Sequence, residues 1–436
     1  MKILLVSELF NPNMSIGAVR TYNLALELSR LGHTVVCFAS INEKDETIEN
    51  NEKIKVQYVR DGKFGKLRQK YELKRASRKR KQNSKNESRI IKKQTLMPVW
   101  LSKLLLEVWY MISEYERFIE FKHLCDCIID KEGIEYALTS YGPISNLWVG
   151  FYIKKKFPNI PWISDMRDPV DSSSRPFFGR VYGNLLQKKM LYYADKVVTV
   201  CDGLTNRYKN MVPSELQNKI STVTNGYQEE PILFTPQQDG IFRIGYTGML
   251  YRNMSDMSEL FRCLEQLLNE NSKKYCFEIH YAGPDGDKLI EQARKYHVEK
   301  FVFCHGILTK YDSLRLQEKC DILCVLTWNT KKEQGILTGK FFEYLRLKKP
   351  ILAIVTGDLK DAEISQRISD LRIGFSYECI KKDTDFDKMK TWLKTCIDMK
   401  HNLKSIDENI NEDLVNEYSY RNITKRYEKI ISDTIQ

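Results

Sequence analysis

Short apolar runs, most of them followed by a stretch with helical spacing, recur from one end of this chain to the other. Residues 2–6, 35–39, 136–140, 161–166, 196–200 and 220–223 read as strands in the first half, and 242–247, 276–282, 301–304, 321–326 and 351–355 in the second. Helical spacing follows at 18–31, 145–156, 180–193, 202–211, 256–270, 311–319 and 339–347. Strands that are apolar on both faces and alternate with helices fit parallel sheets covered on both sides. With 436 residues the chain exceeds one ordinary core, so two domains are expected. The predicted fold class is therefore α/β, with two Rossmann-like, doubly wound domains. The first spans 1–230, carrying a basic and aromatic insertion at about 60–112. Residues 231–240, with Pro231, Pro236 and the paired Gln237 and Gln238, read as a linker. The second domain spans 241–410, and the remainder to residue 436 reads as helical, as does the stretch from 384 onward.

Charge is concentrated in one place. Between Arg60 and Lys93 there are 15 Lys/Arg and 3 Asp/Glu, which leaves 54 basic and 54 acidic residues elsewhere. The aromatic and aliphatic run that follows includes Trp100, Leu104, Leu105, Val108, Trp109 and Ile112. A basic segment beside such a run suits an anionic membrane face. A solvated loop followed by an ordinary core helix fits equally well. Nucleic acid ranks last, because no fold signature for it accompanies the charge. No window approaches the run of about 18 apolar residues that spans a bilayer. Residues 3–6 are followed at once by Ser7 and Glu8, unlike a secretory signal, so a cytoplasmic location is expected, with peripheral attachment to the inner face of the membrane through 60–112. The eleven cysteines contain no CxxC pair, and Cys37, Cys201 and Cys324 fall in strand-like runs, as buried thiols do.

The stretch 333–352, EQGILTGKFFEYLRLKKPIL, carries the most chemistry. Gly335, Leu337 and Thr338 form a loop, Thr338 is placed to cap a helix, and Pro350 precedes a buried strand. Helix N-termini attract anions, and Lys340 adds a full charge in the first turn. Glu343, three residues on, falls on the same side and could accept hydrogen bonds from a sugar diol. Phosphate donors and a diol acceptor one turn apart match a nucleotide sugar. A capped amphipathic helix with a surface lysine is the plainer alternative.

The pattern Gly335…Lys340…Glu343-Tyr344-Leu345…Pro350 resembles the donor-binding signature of family 4 glycosyltransferases, retaining enzymes of the GT-B fold, in which two Rossmann-like domains face each other across a cleft. By that resemblance Glu343 contacts the ribose hydroxyls and Glu333 lies near the transferred sugar. The segment PWISDMRDP resembles a motif of one subset of the family, with Asp165 bordering the acceptor hydroxyl or donor sugar and Arg167 and Asp168 bracing it. The same residues could form a structural salt-bridge turn. Gly17 matches a glycine that faces the donor, Arg20 sits one turn into the helix after it, and Gly248 and Arg252 match a diphosphate-binding turn. The resemblance also implies that a terminal helix, 411–436, crosses back to the first domain.

The implied activity is transfer of a sugar from a nucleotide diphosphate sugar to an acceptor hydroxyl with retention, in cell-surface polysaccharide or glycoconjugate synthesis. The acceptor would be a saccharide or a lipid-linked saccharide. No cofactor or metal is called for, since Arg252, Lys340 and the helix end can carry the leaving charge. Asp285-Gly286-Asp287 reads as a turn rather than a metal triplet, and His305 as structural. Two rivals stand beside this reading. One is a nucleotide-sugar epimerase or hydrolase on the same fold. The other is a non-catalytic membrane or nucleic-acid adaptor that uses the basic arm.

Overall fold

A computed structural model describes the chain apart from residues 9, 12–15, 41–51, 69, 72–98, 173–176, 234–238, 252–253, 273, 403–405, 407–409 and 435–436. It divides into two compact units. The first comprises Met1–Thr199, Arg207–Ser221 and Tyr427–Gln436; the second comprises Val200–Asn206 and Thr222–Arg426.

The first unit is built on a seven-stranded sheet in the order β3-β2-β1-β4-β5-β6-β7. Its strands are β1 (Lys2–Val6), β2 (Thr34–Ser40), β3 (Ile54–Val59), β4 (Tyr136–Ser140), β5 (Trp162–Met166), β6 (Lys196–Thr199) and β7 (Ile220–Thr222). The pairings from β3 across to β6 are parallel. Strands β4 and β5 bury every residue, the polar Thr139, Ser140, Ser164 and Asp165 included. The strand β3 was not anticipated. It is an edge strand, Ile-Lys-Val-Gln-Tyr-Val, and only Val59 is fully buried, so its apolar signal is weak. The helix Val99–Glu132 is 34 residues long and extends well past the aromatic run. Its later turns send Phe121, Cys125 and Ile129 into the core beside Phe38 and Val36.

The second unit has a six-stranded sheet in the order β10-β9-β8-β11-β12-β13. Its strands are β8 (Phe242–Thr247), β9 (Phe277–Ala282), β10 (Val302–Cys304), β11 (Ile322–Asn329), β12 (Ile351–Gly357) and β13 (Gly374–Glu378). Every neighbouring pair is parallel. Two apolar clusters cover its faces, one around Phe261 and Leu264, the other around Phe341, Phe342 and Ile368. The strand β13 and the helix Glu363–Leu371 before it were also missed. Gly374, Phe375 and Ser376 are only half-buried at the sheet edge, and apolar runs are absent there. Residues 384–436 are not one helical stretch. The helix Lys382–His401 ends at Asn402, and shorter helices follow at Glu412–Asn416 and Tyr420–Ser432. Between these last two, Ser419 bridges Tyr227 in parallel fashion, a pairing no helix could make. Cys37, Cys201 and Cys324 are buried, as expected of thiols in strand-like runs.

Candidate functional site

In doubly wound sheets ligands sit beyond the carboxyl ends of strands. In the second unit that end is formed by Thr247 of β8, the loop after β11, and the helix Gly339–Leu345. The helix starts where Thr338 leaves extended backbone, φ −69° and ψ 155°. Phe341, Phe342, Tyr344 and Leu345 are all fully buried, so their packing fixes the helix rotation. That leaves Lys340 and Glu343 on the open side, each 31% exposed. Lys340 Nζ lies 2.9 Å from Glu343 Oε1 and 3.1 Å from Oε2. The two residues that the sequence pointed to therefore share one face, and they are already paired with each other.

A third residue holds them, and sequence reasoning passed over it. Gln317, on the helix Lys310–Lys319, is fully buried and donates Nε2–H to Glu343 Oε1 and, at 2.8 Å, to Thr247 Oγ1. Thr247 in turn donates its N–H to Tyr344 Oη at 3.1 Å. The only hint in the sequence was a glutamine on an otherwise polar helix, which carries no spacing signal. Two polar atoms in this group have no protein partner: Gln317 Oε1 and Thr338 Oγ1, both shielded from solvent. Buried acceptors and hydroxyls are normally satisfied, so these two have room for a hydrogen bond from water or from another molecule.

The loop before the helix is close-packed. Gly335 has φ +72°, and a Cβ placed there would lie 2.6 Å from Glu363 Oε2 and 2.8 Å from the Gly203 nitrogen. Glu363 itself accepts the N–H groups of Asp202 and Gly203, each at 3.0 Å. Leu337 is half-buried against the apolar cluster of Phe341. Glu333 stands in the turn after β11, where its Oε2 accepts the Trp328 indole N–H at 2.8 Å and its N–H reaches Thr330 Oγ1 at 3.1 Å. Trp328 also meets the ring of Tyr251 edge-on at 5.5 Å. At the end of β8, Gly248 accepts the Tyr281 hydroxyl at 2.9 Å. A depression of about 270 Å³ beside this turn is lined by Leu250, Tyr251, Ser255, Lys288, Gln292 and Lys295. Arg252 lies outside the described residues. Asp285 precedes the helix Gly286–Arg294 and accepts the Leu250 N–H at 3.0 Å, as a turn residue does. His305 lies 3.0 Å from His280 Nδ1, and its pKa is lowered by burial and by that neighbour.

The first unit gathers its own polar group at the ends of β4 and β5. Asp165 is completely buried. Arg20 donates to it twice, Nη2 to Oδ1 at 2.9 Å and Nε to Oδ2 at 3.2 Å. Ser140 donates to Oδ2 at 3.0 Å and Tyr427 to Oδ1 at 2.5 Å. Burial raises the Asp165 pKa, but the charge and hydrogen bonds of Arg20 outweigh it and leave the carboxyl below its usual range. The expectation was a carboxylate bordering the substrate hydroxyl; the structure places one with both oxygens filled by protein. Arg167 lies beside it, donating to the carbonyls of Tyr141 at 2.8 Å and Gly142 at 3.1 Å. A Cβ on Gly17 would fall 1.1 Å from Arg167 Nη1, so Gly17 makes room for this guanidinium. Sequence reasoning noted Arg20 only by position and missed Ser140 and Tyr427, because nothing local marks them.

Nearby in sequence to β1, Glu8 joins a second ionic cluster. Arg117 reaches Glu8 at 2.8 Å, Glu114 at 2.8 Å and Asp61 at 2.9 Å, and Arg68 reaches Glu114 at 3.1 Å. Three carboxylates thus share two guanidinium groups. Burial, reinforced by Glu114 and Asp61 and opposed by Arg117 and Arg68, pushes Glu8 up to about 7.

No family model matches the sequence, and no curated protein matches it. Solved structures do. Sucrose-phosphate synthase from Thermosynechococcus elongatus superposes with a TM-score of 0.63 at 13% identity, covering 100% of this chain and 99% of that one. A glycosyltransferase from Rickettsia africae gives 0.61 at 15% identity, covering 100% and 98%. A variant of S. aureus TarM, in complex with fondaparinux, alpha-GlcNAc-glycerol and UDP, gives 0.59 at 12% identity, covering 98% and 99%. With its two parallel α/β sheets of seven and six strands, the chain has the fold of the GT-B glycosyltransferases over its full length.

Proposed function

We propose that the protein is a glycosyltransferase that moves a sugar from a nucleotide diphosphate sugar to an acceptor hydroxyl, with retention at the anomeric carbon. The observation that carries this reading is the Lys340–Glu343 pair, held by Gln317 at the carboxyl end of the second sheet beside two orphaned polar atoms. In the donor complex the diphosphate takes the Lys340 ammonium away from Glu343. Glu343 then accepts the ribose hydroxyls, and Thr338 Oγ1 and Gln317 Oε1 gain partners. Arg252 and Lys340 stabilise the charge that grows on the leaving diphosphate, which is where cations lower a barrier most. Gly248, Gly335 and Leu337 shape the backbone around the nucleotide. Glu333 serves the transferred sugar.

On the first unit, Asp165 acts as a positioning residue. It fixes Arg20, while Arg167 and Gly17 define the ground on which the acceptor hydroxyl arrives. The acceptor is a saccharide or lipid-linked saccharide of cell-surface polysaccharide or glycoconjugate synthesis, and the enzyme works on the cytoplasmic side, peripheral to the membrane. Support for a nucleotide-sugar donor and a saccharide acceptor comes from the fold neighbours, one of which holds UDP together with alpha-GlcNAc-glycerol.

The test is thermal stabilisation by a panel of nucleoside diphosphates and nucleotide sugars, because a ligand that binds the native state raises its melting temperature. One base should stabilise the wild type and fail to stabilise Lys340→Met. The unliganded melting temperature should hardly move, since a half-exposed i,i+3 pair contributes only about 0.2–0.5 kcal/mol. Stabilisation by none of the panel, or equal stabilisation of the variant, would sink the reading. Turnover of donor without acceptor, beyond slow hydrolysis, would favour an epimerase or hydrolase.

A further inference from the structure

The helix Gly339–Leu345 carries Lys340 in its first turn, at the carboxyl end of the second sheet. Its other end leads through Arg346 and Lys348 to β12, which begins at Ile351, so these two residues lie at the amino end of that strand. At 1.5 Å per residue, Lys340 and Arg346 stand about 9 Å apart along the helix axis. Arg346 and Lys348 line a hollow of about 520 Å³. That volume is ordinary for a small-molecule site, but the lining is not, because charge replaces the usual apolar walls. The stretch 227–232 brings Glu229 and Glu230 to it, and the helix Tyr420–Ser432 brings Arg421 and Lys425. The latter two are four residues apart and share one side of their helix. Backbone bonds pin these walls together: Tyr227 donates its N–H to the Tyr418 carbonyl at 3.0 Å, and Tyr420 donates its own to the Tyr227 carbonyl at 2.9 Å.

The charges at the hollow are not spent on one another. Among the described residues no ion pair joins Glu229 or Glu230 to Arg421 or Lys425. The Arg421 guanidinium has no partner there, and Lys425 Nζ reaches only the neutral side-chain oxygen of Asn422, at 3.3 Å. Arg346 is 8% exposed; its Nη2 donates to Glu318 Oε1 at 3.2 Å, its Nη1 meets the Glu230 carbonyl at 3.4 Å, and its Nε has no partner. A guanidinium has five donors, so this one keeps capacity in hand. Lys348 has φ +49°, where glycine would close the helix at less cost. The lysine instead sets an ammonium at the hollow, held by the exposed Glu412.

We propose that this hollow binds a small phosphate monoester that also carries hydroxyl groups. The phosphate takes Arg421, Lys425 and Lys348, whose present partners are weak or absent, in charge-assisted hydrogen bonds. Glu229 and Glu230 accept hydroxyl protons, as ionised carboxylates do. The mixture of charges excludes simpler occupants. A bare anion gains nothing from two carboxylates, and a neutral polyol leaves the cations unused. A nucleobase needs a face to stack on, and the one aromatic ring lining the hollow, Tyr227, is 7% exposed. The hollow shares no residue with the Lys340–Glu343 site, so this proposal does not rest on the transferase reading.

The experiment is calorimetric titration of the full chain with glucose 6-phosphate, glucose 1-phosphate and glycerol 3-phosphate, and with inorganic phosphate and glucose as controls. At least one ester should bind, more tightly than either control. Arg421→Ala with Lys425→Ala should weaken that ester by at least about tenfold. Both side chains are exposed, so the melting temperature should match the wild type. Lys348→Gly should also weaken the ester, yet melt no lower than the wild type, because glycine adopts a positive φ without penalty and a surface ion pair adds little. Glu229→Ala with Glu230→Ala should erase the preference for the ester over inorganic phosphate. Lys340→Met should bind the ester as the wild type does, which separates this hollow from the donor site. The proposal is overturned if no ester binds, or if inorganic phosphate binds as tightly as the best ester. It is equally overturned if the Arg421 and Lys425 variant binds like the wild type, or if Lys340→Met abolishes the binding and so assigns the anion to the other end of the helix.

Discussion

Arg20 and Asp165 grip each other on two edges where water does not reach: Nη2 to Oδ1 is 2.9 Å, Nε to Oδ2 is 3.2 Å, and each side chain is 1% exposed. Such a pair is tolerable only because its remaining valences are also filled, by Ser140 and Tyr427. Removing one charge strands the other. Asp165→Asn should destabilise the first unit by about 3–5 kcal/mol, read from urea unfolding. The carboxyl titrates below its ordinary value in the folded chain, so its contribution is present above the unfolded value and is lost as pH falls through the lower folded value. The wild type should therefore lose stability on acidification in that range, and the asparagine variant should lose less.

Gln317 holds Glu343 from a buried position and leaves its own carbonyl without a partner. Gln317→Leu removes the hold and the orphan together, so folding stability should change by only about 1 kcal/mol. Nucleotide affinity should fall about tenfold, the equivalent of about 1.4 kcal/mol. Calorimetric titration with the stabilising nucleotide checks this. A role confined to packing would move stability and leave affinity alone.

Glu8 behaves in the opposite sense to Asp165. Burial and the neighbouring Glu114 and Asp61 raise its pKa to about 7, against the pull of Arg117 and Arg68. The native state then holds a proton that the unfolded chain has released, so stability falls as pH rises from the ordinary glutamate range to about 7. Glu8→Gln should flatten that slope, and above pH 7 it should be no less stable than the wild type. Melting temperatures across this range decide the matter, and an unchanged slope would refute the assignment.

Gly335 occupies the left-handed region with two neighbours inside 3 Å of where a Cβ would stand. Gly335→Ala should cost about 1–3 kcal/mol from backbone strain, with the loop displaced from Gly203 and Glu363. A lower melting temperature, with weakened nucleotide stabilisation, is the expected result.

Much of the architecture was legible beforehand because it rests on local rules. Strands such as β1 and β12 are apolar on both faces, and Thr338, Gly335 and Pro350 punctuate the stretch between β11 and β12. The strands β3 and β13 were not legible. Edge strands bury too little to write a pattern. Helix spacing likewise put Lys340 and Glu343 on one side, and the structure finds them there. The long helix Val99–Glu132 showed its aromatic start in the sequence. Which of its sides faces the core depended on residues packed from elsewhere in the unit.

The sequence by itself determined the alternation of strand and helix, and with it the parallel sheets, because periodicity and turn chemistry act over a few residues. It also determined which side chains bear charge. The tertiary structure alone decided what those charges do: that Asp165 is sealed by Arg20 and by a tyrosine 262 residues away, and that Glu343 leans on Gln317, 26 residues before it. Hydrogen-bond partners are chosen by proximity in space and by the cost of leaving a buried polar atom bare, and neither is written in spacing along the chain.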